Sequence, residues 1–337
     1  MQAVIDIVGL PKVELHLHLE GTFEPELIFR IAERNGIVLP ESLDQLRARY
    51  NFTDLQSFLD LYYANMAVLQ NEEDFADLTR AYLDRAREAG VRHVEIFFDP
   101  QAHVERGVSL STCVTGIAGV LAKSEEEFGI TSALIATFLR HLPESDAVEI
   151  LTRLIAMKAP IMGIGLDSAE VGNPPSDFVH LYALAHAHGL ECVAHAGEEG
   201  PPEYVWQALR ELAVTRVDHG IRSMEDPALI EYLVEHGIPL TVCPLSNVRL
   251  RVVDTMADHP LPAMLELGLA VNINSDDPAY FGGYIDDNFM AIATEFALTP
   301  PRLALLARNA VDASFAHHDR KELIHREIDA WLAAQGG

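Results

Sequence analysis

Eight short runs of apolar and β-branched residues recur along the chain, each ending in small or polar residues, and their spacing restricts the fold more than any other feature. They are Val13–Leu19, Val91–Phe98, Ile130–Phe138, Ile161–Leu166, Leu190–His195, Thr215–His219, Ile238–Cys243 and Leu269–Asn274. Stretches of helical period separate them, among them Glu72–Ala89, Pro175–His188, Pro202–Leu212, Pro227–Glu235 and Leu261–Leu267. Eight alternating β and α units predict a (β/α)8 TIM barrel, its parallel strands joined by right-handed crossovers. A chain of 337 residues fits such a barrel as a single domain spanning 1–337. The first crossover is overlong: Pro25–Gly36 and Thr53–Ala89 hold several helical patterns, expected as extra helices over one mouth of the barrel. The tail, Lys321–Ala334, reads as a final packing helix.

The first run carries chemistry as well as fold. Read as a strand, V-E-L-H-L-H-L-E-G puts Glu14, His16, His18 and Glu20 on one face and Val13, Leu15, Leu17 and Leu19 on the other. Two imidazoles at i and i+2 then point the same way, close enough to share one ion, although a half-exposed strand with two solvent-facing histidines has the same pattern. Barrel chemistry sits where strands end, and three other strand ends supply matching groups. Leu190–Ala194 runs into His195-Ala196-Gly197-Glu198, Thr215–Asp218 into His219-Gly220, and Leu269–Asn274 into Ser275-Asp276-Asp277-Pro278. Asp-Asp-Pro alone also reads as a turn and His-Gly as a strand terminus. Together, His16, His18, His195 and Asp276 offer three nitrogens and an oxygen, a donor set suited to Zn²⁺ or a neighbouring divalent ion with a position left for water. Glu198 and His219 remain as proton-transfer groups.

H-L-H-L-E-G, H-A-G-E, V-D-H-G, C-P-L-S-N and N-S-D-D-P-A-Y-F-G occur in that order between Leu10 and about Ala316. In this the chain resembles the adenosine/adenine deaminase branch of the amidohydrolase superfamily, most of all its bacterial and fungal adenine deaminases. The adenosine enzymes typically carry H-x-H-L-D-G, whose aspartate helps hold the ribose; here Glu20 is one methylene longer, which implies crowding of a sugar. The segment Gly165-Leu166-Asp167-Ser168-Ala169-Glu170 is similar to the L-D-S-S-E of the adenine type, with Ala169 the departure. What the resemblance implies is hydrolytic deamination of adenine to hypoxanthine and ammonia, with one zinc ion held by His16, His18, His195 and Asp276. Glu198 would protonate N1 of the purine, His219 with Asp276 would orient and deprotonate the attacking water, and Asp277 would hydrogen-bond N7. Asp167, Ser168 and Glu170 follow a barrel strand and are candidates for the base edge. Adenosine, or another purine substituted at N9, is the first rival substrate.

Other readings meet obstacles in the residues. Metal hydrolases of this fold that use a bridging carboxylated lysine need it at a mid-barrel strand end, and none of Lys12, Lys123, Lys158 and Lys321 lies there. His93-Val94-Glu95 and His103-Val104-Glu105 match half of the other zinc deaminase signature, but its P-C-x-x-C is missing. A metal-binding barrel without turnover has no use for Glu198, His219 and Asp277 together. With 51 acidic against 24 basic residues and a formal net charge of -27, the surface repels nucleic acid and anionic membranes. The expected partner is a small purine base, with no nucleic acid and no membrane; a homo-oligomer is compatible with this. The N-terminus has neither the basic region nor the cleavage site of a secretory signal, no apolar run approaches a membrane span, and three well-separated cysteines point to free thiols in a reducing cytoplasm.

Overall fold

The computed structural model describes residues 5–40, 42–50, 52 and 55–336. Eight strands form one parallel sheet in sequence order: β1 Lys12–His18, β2 Val91–Phe98, β3 Thr131–Leu139, β4 Gly163–Asp167, β5 Glu191–Ala196, β6 Arg216–His219, β7 Pro239–Val242 and β8 Ala270–Ile273. Each expected strand is present, with ends displaced by a residue or two. The seam between β8 and β1 is closed just beyond β8, where Leu17 pairs with Asp276. There the His18 amide donates to the Asp276 carbonyl and the Asp276 amide to that of His16. The Asn274 side chain adds to this join, its Oδ1 accepting from the amides of Leu15 (2.7 Å) and His16 (3.2 Å).

Among the described residues the long first crossover holds four α-helices: α1 Pro25–Arg34, α2 Leu43–Arg49, α3 Leu55–Met66 and α4 Glu72–Glu88. Residues 53 and 54, where the expected second stretch opens, lie outside the described residues, as do residues 1–4 of the N-terminal segment. Asn71 caps α4 with a reciprocal pair, its side chain accepting from the Glu73 and Asp74 amides while the Asp74 carboxylate accepts from the Asn71 amide. Further helices at Leu110–Leu121, Glu144–Ala156, Val179–Ala187, Pro202–Arg210, Pro227–His236, Leu261–Glu266 and Pro300–Ala313 belong to the outer layer, and the expected tail helix runs from His318 to Ala334.

Strand β1 departs from simple alternation. Glu14 pairs with Val94 and Leu17 with Ile96, so β1 takes three residue steps where β2 takes two, which is a bulge. Glu14, expected on the face of the histidines, is therefore turned aside: its carboxylate accepts from Tyr82 of α4 and from Ser275. His16 and His18 remain together and face the barrel interior. Glu20 leaves that face as well, because the strand ends at His18 and Glu20 opens a 3-10 turn, Glu20–Thr22.

Inside the barrel, Phe97, Ile135 and Val193 form a small apolar cluster separate from the main shell between strands and helices. Below it the N-terminal end is filled by a buried ion pair, Arg216 Nη1 to Glu95 Oε2 at 2.7 Å. Arg216 also donates to the Leu15 carbonyl, and Glu95 accepts from the Phe315 amide. The floor is thus polar but paired, and chemistry is left to the opposite mouth.

Candidate active site

His16 and His18 rise from the end of β1, His195 from β5, and Asp276 follows β8. His16 Nε2 lies 3.2 Å from Asp276 Oδ1, and His18 Nε2 lies 3.5 Å from the same oxygen and 3.2 Å from His195 Nε2. Donors about 2.0–2.2 Å from a tetrahedral ion stand about 3.3–3.6 Å from one another, so these spacings fit a shared metal. His16 Nε2 is buried without a hydrogen-bond partner, as a nitrogen kept for a metal would be. Ligand atoms of His16, His195, His219 and Asp276 lie within 4.8 Å of one another, so His219 belongs to this cluster, whereas His18 groups with Asp276 and Asp277 and with Asp99 and Asp167. The ring of Phe97 lies under the imidazoles of His16, His18 and His195, at centroid distances of 5.3, 5.2 and 6.0 Å.

Behind each imidazole stands a carboxylate that the sequence reading gave no such role. Asp167 Oδ2 lies 3.5 Å from His18 Nδ1, and Asp218 Oδ2 lies 3.7 Å from His195 Nδ1. Asp218 Oδ1 accepts from the Thr241 hydroxyl at 2.8 Å, and that hydroxyl in turn lies 3.0 Å from His16 Nδ1. Of these contacts the one at hydrogen-bond distance from an imidazole is that of the Thr241 hydroxyl with His16 Nδ1, which leaves His16 Nε2 as the ligand.

A shared backbone device assembles these groups. Ser168, His219 and Asp276 are non-glycine residues in the left-handed region, with φ of 73°, 64° and 64°. Along a strand, neighbours point to opposite faces; a left-handed residue at the strand end cancels that alternation. Asp167 with Ser168, Asp218 with His219, and Asp276 with Asp277 consequently reach the same site as adjacent pairs. Gly21 matters for a different reason. A Cβ there would lie 2.1 Å from Asp277 Oδ1 and 2.6 Å from its Cα, so the turn after β1 needs glycine to let Asp277 in.

The pocket above these groups holds about 430 Å³ of space with its open mouth included. Asp99, Asp167, Ser168, Glu198, His219 and Asp277 give it polar walls, and Leu139, Leu250 and Phe281 apolar ones. Phe58, Leu59, Tyr62 and Tyr63 of α3 lie over it, so the extra helices do cover the mouth. Sequence reasoning missed this aromatic wall and Asp99, since nothing local in α3 or after β2 marks them as facing a barrel they reach only in three dimensions.

Glu20 does not line the pocket. Its Oε1 lies 2.6 Å from His103 Nε2 and accepts from the Asp99 amide at 3.2 Å, so Asp99 stands between it and the cavity. Any crowding of a sugar by Glu20 is therefore indirect. Glu170, expected near the base edge, is also turned away, its carboxylate accepting from the amides of Gly197, Glu198, Glu199 and Gly200. Ser168 keeps its place in the wall, its hydroxyl 2.9 Å from His141 Nδ1 and 3.4 Å from the Tyr63 hydroxyl.

The electrostatics separate acids from bases. Burial, reinforced by Asp276, pushes the Glu198 carboxyl well above its ordinary value. Burial and Asp276 do the same to Asp277, and burial and Asp99 to Asp167. Burial, with His16 nearby, brings His219 down to about 3, which keeps it neutral. Asp276 is the exception: burial works against its charge, yet His16 and its neighbours hold it below the usual carboxylate range. His219 Nε2 lies 3.4 Å from Glu198 Oε2 and 3.9 Å from Asp276 Oδ2. The site thus sets a carboxyl that holds its proton more tightly than usual, an imidazole that resists protonation and a carboxylate that favours its charge side by side.

Residues 11–331 match the family described as adenosine deaminase. The adenine deaminase of Rhodospirillum rubrum is 53% identical over 323 residues, covering 96% of this chain and 97% of that protein. That of Streptomyces coelicolor is 57% identical over 316 residues, covering 94% and 93%. Among solved structures, adenine deaminase from Arthrobacter aurescens superposes with a TM-score of 0.95 at 60% identity, over 96% of this chain and 99% of that one. An amidohydrolase from Burkholderia ambifaria with bound Zn gives a TM-score of 0.90 at 29% identity, covering 98% and 93%.

Proposed function

The chain belongs to the adenosine deaminase family, and from that premise we propose how its residues carry out the hydrolytic deamination of adenine to hypoxanthine and ammonia. The observation that carries the reading is the convergence of His16, His18, His195 and Asp276 beside a carboxyl, Glu198, that burial keeps protonated. The full-length similarity to adenine deaminases supports the same substrate. The whole chain acts as one catalytic unit, and adenine is its small-molecule partner.

Three imidazoles and a carboxylate would hold one zinc ion, the choice of metal supported by the nitrogen-rich donor set. When bound, such an ion lowers the pKa of water toward neutrality and supplies a nucleophile. The chain's own residues do the rest. Glu198 donates a proton to N1 of the ring, which withdraws electrons from C6. His219, neutral, accepts the proton of the attacking water together with Asp276, and the pair sets the direction of attack. Asp277, itself protonated, donates to N7 and fixes the ring plane. The proton gathered from water passes to the exocyclic nitrogen, which leaves as ammonia as the bond from C6 breaks, and the hydroxyl proton remaining on the C6 oxygen returns to Glu198, which restores the acid and leaves hypoxanthine. Ser168 and Asp167 face the remaining edge of the base, while Phe58, Tyr62 and Tyr63 keep bulk water out.

Among the described residues no helix is long and apolar enough to cross a membrane. Cys113, Cys192 and Cys243 are all free and buried, which supports the cytoplasm as the enzyme's place.

The test is the loss of ultraviolet absorbance as adenine becomes hypoxanthine, run beside adenosine on zinc-loaded and chelator-treated protein. Metal-dependent turnover of adenine far above adenosine is the expected result. Faster turnover of adenosine would overturn the substrate assignment, and turnover unaffected by full removal of metal would overturn the site.

A further inference from the structure

Glu170 follows β4, is 2% exposed and makes no contact with the pocket. Its carboxylate instead gathers four consecutive backbone N–H groups: Gly197 on Oε1 at 2.6 Å, and Glu198, Glu199 and Gly200 on Oε2 at 3.0, 2.8 and 2.8 Å. Successive amides turned toward one anion form a nest, and hydrogen bonds to a charged acceptor are stronger than neutral ones. The loop's glycines suit this arrangement. Gly197 has φ of 72°, and a Cβ on Gly200 would lie 2.6 Å from Glu170 Oε1. The carboxylate is fixed from its own side, since the Asn173 amide donates to the Glu170 carbonyl at 3.1 Å. Arg140 then ties this turn to β5, donating to the carbonyls of Asn173 and His195, both at 2.8 Å.

From this geometry we infer that Glu170 is a positioning residue for the proton donor Glu198, acting by clamping the loop 197–200 against the end of β4; the inference rests on the role given to Glu198 above. The Glu198 amide is itself one of the four held groups, so the clamp fixes the backbone from which the acid side chain departs. A glutamine at position 170 keeps the size but brings an NH2 group against amides that can only donate. The loop then loosens while the residues that would bind zinc, on β1, on β5 and after β8, keep their places.

The test is a double-mutant cycle on zinc-loaded enzyme with adenine as substrate, using Glu170→Gln, Glu198→Gln and the pair. We expect Glu170→Gln to lower kcat by about 10- to 10³-fold with KM within a few-fold of wild type and zinc content unchanged. In the Glu198→Gln background the same change should cost almost nothing, because the group it positions is gone. An equal loss in both backgrounds would overturn the inference in favour of a general structural role, and a raised KM at unchanged kcat would return Glu170 to the base edge. If the glutamine variant does not fold, Glu170→Asp serves, with intermediate kcat expected; full kcat in that variant would also count against the clamp. Hydrogen exchange gives a readout independent of turnover: the amides of residues 198–200 should be protected in the wild type and lose protection in either variant, and unchanged protection would refute the clamp. Failure of wild-type protein to deaminate adenine would reject the parent reading while leaving the exchange result interpretable.

Discussion

At the scale of single residues, the site works by holding similar groups in different protonation states. Glu198 and Asp276 are both buried carboxyl groups, yet burial leaves one protonated and the imidazoles around the other keep it ionised. In the proposed mechanism Glu198 acts in its protonated form, and its pKa is raised. Activity should therefore hold at pH values above the ordinary carboxylate range and fall as pH rises through the shifted value. Glu198→Gln removes the proton altogether, with kcat expected to fall by about 10² to 10⁴-fold, the usual worth of a general acid; steady-state kinetics across pH checks both statements, and a variant with wild-type rate and profile would exclude Glu198 as the acid. Gly21→Ala is expected to lower turnover as well, by displacing the group assigned to N7 rather than by removing one. The added methyl meets Asp277 at 2.1 Å and must displace it, so adenine turnover should drop at least tenfold while zinc content stays near wild type. How far such residues could be read from the sequence depended on where their side chains lie along a strand. His16, His18, His195, Glu198 and Asp276 stand at or just past strand ends, where a barrel keeps its chemistry. Glu20 and Glu170 share that address, but a 3-10 turn and a run of free amides redirect their carboxylates, and neither is visible in local sequence.

Elements explain why the site and the closure of the barrel depend on each other. The β8–β1 seam rests on the Leu17–Asp276 pairing and on the Asn274 side chain. Two of the groups that would bind metal, His16 and His18, lie on one side of that seam and Asp276 on the other, so an ion held there ties the first strand to the last. Metal binding is then linked to folding. Chelator treatment should lower Tm by several degrees, with the fastest added hydrogen exchange at the amides of His16, His18 and Asp276; an apo protein of unchanged Tm and exchange would separate the metal from the seam. The strands were legible because each is an apolar run ended by polar residues, and alternation with helices leaves few topologies open. The bulge in β1 was not, because one extra residue in a strand of alternating character leaves no mark in composition. Left-handed backbone at Ser168, His219 and Asp276 is nearly as silent: aspartate and histidine enter that region more readily than most residues, but the preference is too weak to mark single positions in a sequence.

At the scale of the whole molecule, the two ends of the barrel divide stability from function, and the N-terminal end carries a commitment of its own. Arg216 from β6 and Glu95 from β2 meet across the interior at 2.7 Å, both essentially inaccessible to water. Arg216 also stands 3.8 Å from Asp218, the carboxylate behind His195, so the plug is continuous with the support of the site. Burial is the largest single influence and opposes ionisation of Glu95, but Arg216, His93 and the Phe315 amide together outweigh it and hold the carboxyl below its usual value. A depressed native pKa contributes stability that is present above the unfolded value, about 4.5, and is lost as pH falls through the native one. A buried pair is worth little against well-packed apolar residues, whereas an orphaned partner is costly. Glu95→Ala should therefore destabilise the protein by about 3–5 kcal/mol, the range for stranding one member of a buried pair. It should also flatten the acid limb of stability between pH 4.5 and lower values. Replacing both partners, Glu95→Leu with Arg216→Met, should recover most of that loss by refilling the interior with apolar volume. Denaturant unfolding of the three variants across pH decides the matter: a double variant no more stable than Glu95→Ala would mean that Arg216 supports the barrel through the Leu15 carbonyl and Asp218 rather than through Glu95.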